Sequence, residues 1–363
     1  MGRRLFFMVL LGVFVVVSVL TLVAEPARAD TNIHLPTGYQ IEAVATGLTF
    51  PTSVTWDSDG RMYVTEAGYA YGPKEVGPGR VLRIDPDKYE VVLDGLSSPA
   101  TDAEFYGDDM YVAHRGFLSV LRNGERHDLI QGLPSGDHYT GEIAVDMEEG
   151  WVYIGNGTTT NSGVIGDDNF RFGWVPEHPD WRDIPGNTVT LTGVNLSVPD
   201  LRTASPTDRT ETGAFVPFGT PTKEGQTIPG QTKASGVILR TRSDGTETGV
   251  YAWGLRNPFG LGFDRGGRLL AVDQGYDDRG VRPVANAPDI IYEIRQNSWY
   301  GWPDYSGGIP LDDPRFQSNL PGWPPKPLLA DPPTPEDPLL LLPPHTAAMR
   351  FDFAPLGFDL RIR

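Results

Sequence analysis

Residues 251–276 read Tyr-Ala-Trp-Gly-Leu-Arg-Asn-Pro-Phe-Gly-Leu-Gly-Phe-Asp-Arg-Gly-Gly-Arg-Leu-Leu-Ala-Val-Asp-Gln-Gly-Tyr. Leu261 and Phe263 alternate before a turn at Asp264–Gly267, and Leu269, Ala271 and Asp273 alternate after it, which predicts a strand, a tight turn and a second strand. Arg256 and Asn257 stand just before Pro258. Proline lacks an N–H and fixes its φ, so this pair lies in a stiff, non-helical connection, the kind of loop on which a scaffold holds polar groups toward a ligand. On residue type alone, Arg256 could equally well pair with a nearby carboxylate and brace the loop.

The same unit recurs. Gly47-Leu-Thr-Phe-Pro leads through Ser53-Val-Thr-Trp and Asp57-Ser-Asp-Gly to Met62-Tyr-Val-Thr-Glu. Gly95-Leu-Ser-Ser-Pro leads to Met110-Tyr-Val-Ala-His, and Gly132-Leu-Pro to Trp151-Val-Tyr-Ile-Gly. A fifth, partial copy runs from His345 to Phe353. Further strands are expected at Arg80–Asp85, Leu118–Arg122, Gly236–Arg240 and Ile290–Ile294. Gly47 to Gly95 is 48 residues and Gly95 to Gly132 is 37, the period of a four-stranded propeller blade. One blade cannot bury both faces, so blades stack about an axis, and the loops before their inner strands converge at one end of the central channel. Arg256, Asn257 and His138 fall in or beside such loops.

Two stretches interrupt the repeat. Residues 158–235 are polar and rich in Thr, Gly, Pro and Asp, which suits a strand or two with long loops over one face of the ring. Residues 321–344 are Pro-rich and read as an extended connection laid over it. The chain ends at Arg363, where a fifth inner strand has just begun, so either the ring closes with few blades or the last blade is incomplete.

Residues 1–29 read as a signal peptide: Arg3 and Arg4, an apolar run from Leu5 to Ala24, and the small-x-small Ala27-Arg28-Ala29. The reading is of an exported chain, periplasmic or extracellular, or held at the membrane if this segment is retained. Residues 30–363 are then a single propeller domain. The 43 glycines and 33 prolines of the full sequence are spread through it and argue many short strands. A net charge of -17 makes nucleic acid and anionic lipid poor partners. The absence of cysteine excludes thiol nucleophiles, Cys-ligated zinc and disulfides.

His138, in Gly136-Asp-His-Tyr-Thr-Gly141, precedes an inner strand and can take a proton near neutral pH, or can be a structural histidine. His114 reads as structural, and His34, His127 and His178 as surface residues. The loop Asp273–Arg279 offers oxygens suited to a hard cation such as Ca²⁺, or is a turn salt-bridged among Asp277, Asp278, Arg279 and Arg282. Trp299, Tyr300, Trp302 and Tyr305 read as blade packing before they read as the wall of a sugar or planar-cofactor site. No Walker loop, zincin helix or dinucleotide fingerprint is present.

Gly254-Leu-Arg-Asn-Pro-Phe-Gly-Leu, Asp273-Gln-Gly-Tyr and Tyr300-Gly-Trp-Pro, together with Gly136-Asp-His and Gly155–Gly163, resemble the glucose/sorbosone dehydrogenase family. Its members include soluble, calcium-containing sugar dehydrogenases that use pyrroloquinoline quinone (PQQ). The resemblance implies a six-bladed β-propeller that oxidises sugars or related hydroxy/aldehyde compounds and passes electrons to an external acceptor. It implies that His138 is the general base and that hydride passes to PQQ. Arg256 would steady charge on the quinone, Asn257 would hydrogen-bond the cofactor, and the carbonyls of Gly275 and Tyr276 would hold Ca²⁺. Asp289 stands where the family carries an acidic pair, but Ile290 follows it here, and the family's basic cofactor ligands fall beyond Arg363. A propeller that binds a carbohydrate or partner without catalysis is the alternative.

Overall fold

The structure is a computed structural model that describes residues 34–35, 37–69, 72–74, 77–86 and 88–354. The expected signal peptide lies outside the described residues. The chain divides into two compact units, Met1–Gly47 with Leu360–Arg363, and Leu48–Asp359. The described residues of the first unit contain no helix or strand; all the helices and strands belong to the second.

That second unit is built of antiparallel four-stranded sheets. The first takes β1 (Pro51–Trp56), β2 (Met62–Glu66), β3 (Gly79–Asp85) and β4 (Lys88–Leu96) in chain order. The second takes β5 (Ala100–Tyr106), β6 (Asp109–His114), β7 (Phe117–Arg122) and β8 (Glu125–Gln131). The third opens with β9 (Thr140–Val145) and β10 (Trp151–Asn156). An insertion comes next, with helices α1 (Asp167–Arg171) and α2 (Trp174–Glu177) and strands β11 (Val189–Thr190), β12 (Leu196–Pro199), β13 (Arg209–Thr212) and β14 (Thr227–Ile228). β11 pairs with β14 and β12 with β13. The third sheet resumes with β15 (Val237–Arg242) and β16 (Gly249–Trp253). The fourth takes β17 (Pro258–Phe263), β18 (Leu269–Asp273) and β19 (Pro288–Glu293); after the small pair β20 (Tyr305–Ser306) and β21 (Ile309–Pro310), β22 (Leu340–Pro344) completes it.

The inner strands lie side by side and are tied across the blades by side chains. Thr52 donates to the Ala100 carbonyl at 3.0 Å and Thr101 to the Gly141 carbonyl at 3.0 Å. The Asp102 carboxylate accepts the Ile143 N–H at 2.9 Å, and Glu142 accepts the Leu261 N–H at 2.9 Å. Apolar layers fill the spaces between sheets. Tyr63, Val81, Ala103 and Val112 pack the first against the second, and Tyr111, Val120, Ile143, Ile154 and Leu239 the second against the third. Tyr153, Ile238, Leu261 and Ala271 pack the third against the fourth. Each large aliphatic buried there contributes roughly 1.5–3 kcal/mol. The tight turns share one device: Asp57, Asp146 and Asp264 each accept two backbone N–H groups of their own turn on one carboxylate oxygen.

The fold is therefore an all-β propeller, but the described residues hold four four-stranded sheets where six blades were expected. The reason lies in how the chain is spent. The third sheet draws its strands from Thr140 to Trp253 and the fourth from Pro258 to Pro344, each far beyond one repeat period. The Pro-rich stretch does not merely lie over the ring, since its end is β22, the outer strand of the fourth sheet. Residues 345–354 form no strand, although Met349 and Phe351 lie against Gly260 and Gly262 of β17. Among the described residues no helix is long and apolar enough to cross a membrane.

Candidate functional site

The loops entering β9 and β17 meet, as the repeat predicts, and they bring His138, Arg256 and Asn257 together. The connection before Pro258 is pinned from below. The Asp273 carboxylate at the end of β18 accepts the Arg256 N–H at 3.0 Å and the Asn257 N–H at 2.6 Å. Burial pushes the Asp273 carboxyl up to about 7, against the opposing pull of those two N–H groups. The Asn257 side chain donates to Gln274 Oε1 at 2.8 Å.

His138 is 8% exposed. Its Nδ1 lies 2.9 Å from the Thr158 carbonyl, which assigns the proton to Nδ1 and leaves Nε2 as the basic nitrogen. Thr158 N–H in turn donates to the Arg256 carbonyl at 2.8 Å, so the base and the arginine share one backbone scaffold. Burial first, and then the Arg256 charge, hold the imidazole well below its ordinary pKa, with Asp277 pulling the other way. His138 is therefore neutral at physiological pH, the state a proton acceptor needs. Gly157 makes the approach possible: a Cβ there would lie 2.4 Å from His138 Cβ and 2.8 Å from Asn257 Oδ1. Asn257 Oδ1 is buried and has no hydrogen-bond partner, so it is an acceptor waiting for a donor.

Arg256 is the centre of the cluster and is 3% exposed. All five of its N–H groups are engaged. Nε donates to the Asn161 carbonyl at 3.1 Å, Nη1 to the carbonyls of Gln274 at 3.3 Å and Gly275 at 2.5 Å, and Nη2 to Asn161 Oδ1 and Asp277 Oδ2, both at 2.8 Å. Bracing of the loop by Arg256 is thus what the geometry shows. Arg279 joins the cluster through Asp277 at 3.3 Å, Asp137 at 2.7 Å and Asp168 of α1 at 2.7 Å. Burial raises Asp137 to about 6, with Arg279 opposing.

The Asp277–Arg279 pair is one the sequence offered as a salt-bridged turn, whereas sequence reasoning passed over Asp137 and Asp183. Asp183 accepts the Thr159 N–H at 2.6 Å and the Thr160 hydroxyl at 2.5 Å, beneath the loop that orients His138. Nothing in the Asp183-Ile-Pro stretch signals this, because its partners are 23 and 24 residues away. Gly136, Asp137, His138, Tyr139, Phe172, Trp174, Asp277 and Arg279 line a cleft of about 200 Å³. The insertion supplies Phe172, just past α1, and Trp174 of α2, so it adds two short helices beside the site to the strands and loops expected of it.

The expected metal ligands are neighbours, but the Gly275 carbonyl and the Asp289 carboxylate are turned to other work. The Gly275 carbonyl carries the Arg256 guanidinium, and Asp289 accepts the N–H of Gly275 at 2.8 Å and of Ala348 at 3.4 Å. Tyr276, expected to offer its carbonyl, is buried, and its side-chain hydroxyl donates to the Tyr305 carbonyl at 3.0 Å. A hard cation on the Gly275 carbonyl would face that guanidinium at contact distance, so this arrangement does not fit Ca²⁺. Among the described residues no group of three or more His, Asp or Glu is arranged to hold a metal ion. The chemistry around His138 fits PQQ better: the neutral base and Arg279 line the cleft, and Arg256 and the orphaned Asn257 oxygen lie buried behind them.

The remaining expectations resolve simply. Arg282 does not join the Asp277 turn but pairs with Asp304 at 2.6 Å, and Asp278 meets the Ser318 hydroxyl. Trp299, Tyr300 and Trp302 are buried packing, with Trp299 5.9 Å from Trp253 and 5.6 Å from Tyr305. His114 is buried, bonded to the Ser119 hydroxyl at 2.8 Å and stacked on Phe117. His34, His127 and His178 are exposed.

No protein-family model matches the chain, and no curated protein matches it. Solved structures do. The holo form of the pyranose dehydrogenase PQQ domain from Coprinopsis cinerea aligns with a TM-score of 0.50 at 17% identity, over 85% of this chain and 69% of that one. The PQQ-bound aldose sugar dehydrogenase from Streptomyces coelicolor gives 0.46 at 15% identity, over 84% and 71%. The apo soluble aldose sugar dehydrogenase from Escherichia coli gives 0.43 at 15%, over 81% and 72%. The first of these likenesses, at 17% identity, speaks to the fold alone.

Proposed function

We propose that this chain is an exported oxidoreductase that uses PQQ to oxidise sugars or related hydroxy and aldehyde compounds. The observation that carries the reading is the buried, neutral His138, whose Nδ1 is locked on Thr158 while Nε2 remains free to take a proton. When bound, PQQ supplies a hydride acceptor. His138 Nε2 removes the hydroxyl proton of the substrate, and Thr158 keeps the ring in the tautomer that permits it. Arg256 is the cation placed to offset negative charge developing beside it, and Asn257 Oδ1 is the acceptor for a donor on the bound group. The electrons leave through an external acceptor. Calcium enters this reading only if Arg256 leaves the Gly275 carbonyl.

One observation favours a second reading, a propeller that binds a carbohydrate or partner without catalysis. Every Arg256 N–H already has a protein acceptor. The deciding experiment titrates the chain with PQQ, with and without Ca²⁺, and follows dye reduction across an aldose panel beside His138→Ala. Binding with turnover that the variant loses supports the dehydrogenase. A folded chain that binds no PQQ leaves the non-catalytic propeller.

A further inference from the structure

We infer that Asp277 is a built-in cap on an anion site formed by Arg256 and Arg279, and that a carboxylate-bearing ligand enters by displacing it. The inference deepens the PQQ reading and rests on it for the identity of the natural ligand. A single oxygen, Asp277 Oδ2, takes Arg256 Nη2 at 2.8 Å and Arg279 Nε at 3.3 Å. The two partners differ in exposure and in how they are tied. The Arg256 side chain is 4% exposed and is tied by four other hydrogen bonds, whereas the Asp277 side chain is 40% exposed and faces the cleft beside His138.

A buried guanidinium cannot follow its partner into solvent, but a half-exposed carboxylate can swing away from it. What then remains, where the cleft-lining Asp277 stood, is one N–H of Arg256 and one of Arg279, a pair of cationic donors of the kind that holds a carboxylate. The chain's own Asp277 carboxylate fills that position in the present structure. Arg279 keeps two further carboxylates, Asp137 and Asp168, so it stays in place when Asp277 leaves. Asp168 also offers an internal control. It removes the same unit of charge when neutralised and touches Arg279, yet it does not reach Arg256.

The test measures equilibrium binding of PQQ and of citrate, a carboxylate with no quinone, to the full chain and to Asp277→Asn and Asp168→Asn, by calorimetry. Loss of one competing charge-assisted hydrogen bond corresponds to a gain on the order of tenfold. The expected result is that Asp277→Asn tightens binding by that factor and Asp168→Asn by clearly less. Equal gains in the two variants would reduce the effect to long-range charge and overturn the cap. So would unchanged binding in Asp277→Asn. Citrate binding that improves while no form binds PQQ would keep the cap and remove the PQQ reading; PQQ binding without improvement would do the reverse. Asp277→Ser, which removes the carboxylate and shortens the side chain, replaces the asparagine variant if that one fails to show a native melting transition, and the same outcomes decide.

Discussion

The same inner strands carry two clusters of arginine and carboxylate, and they are wired differently. At the mouth, Arg256, Arg279, Asp137 and Asp277 surround His138 through loop residues. A few residues further along β5 and β9, Arg350 pairs with Asp102 and Glu142. In the strand cluster each acid also caps a backbone N–H of the neighbouring blade, Asp102 on Ile143 and Glu142 on Leu261. These acids hold blades together. In the mouth cluster the contacts run mostly from side chain to side chain or to loop carbonyls, and a basic nitrogen is left unspent. Identical residue types therefore serve stability in one place and chemistry in the other, and the difference lies in whether the backbone has claimed them.

Substitution is the strongest way to break that contrast. His138→Ala should lower kcat/KM in the dye-reduction assay by about 10²–10⁴-fold, the usual reach of a positioned base, while its melting curve moves little. A large loss of stability instead would place His138 with the structural residues. In the strand cluster the effects should reverse. Asp102→Ala takes one of two carboxylate partners from Arg350 and leaves the Ile143 N–H unpaired, and should cost about 1–3 kcal/mol in denaturant unfolding. Unfolding free energy that stays at the parent value would show that the cluster does not tie the blades.

Protonation sharpens the comparison with smaller effects. Burial, and next the Arg126 charge, hold the structural His114 down to about 4. Between about pH 4 and the ordinary histidine value the unfolded chain binds more protons than the folded one, so stability rises with pH across that window and is lost as pH falls. At about 1.4 kcal/mol per pKa unit, the contribution is roughly 1–3 kcal/mol. His114→Gln should flatten the curve there, and an unchanged slope would assign it to other groups. The smallest effect concerns His138 itself. An ordinary histidine is half protonated near pH 6.5, which would cost about twofold in rate. Because His138 is depressed well below that value, kcat/KM should show no such step at pH 6.5; a midpoint there would mean that the base is a different, solvated group.

The pattern of Gly254 to Tyr276, repeated upstream, was enough to place strand pairs, their Asp turns and the meeting of the loops that carry His138 and Arg256. Alternation and turn chemistry are local, so they can be read from neighbouring residues. That is also why β3, β7, β15 and β19 stand where the apolar alternation put them. The number of blades could not be read the same way, because β15 lies 81 residues beyond the end of β10 and β22 lies 47 beyond the end of β19, and only packing tells which sheet such strands join.

What the chain determined by itself was the all-β repeat and the residue types at the mouth. Tertiary structure alone decided their state. It buried His138 beside Arg256 and so kept it neutral, closed all five Arg256 donors on protein oxygens, turned Asp289 to backbone N–H groups, and brought Trp174 from the insertion to the cleft and Asp168 to Arg279. The physical reason is that pKa, hydrogen-bond saturation and access depend on groups brought near through folding, from positions more than a hundred residues apart in the case of Asp168 and Arg279, and no local pattern encodes them.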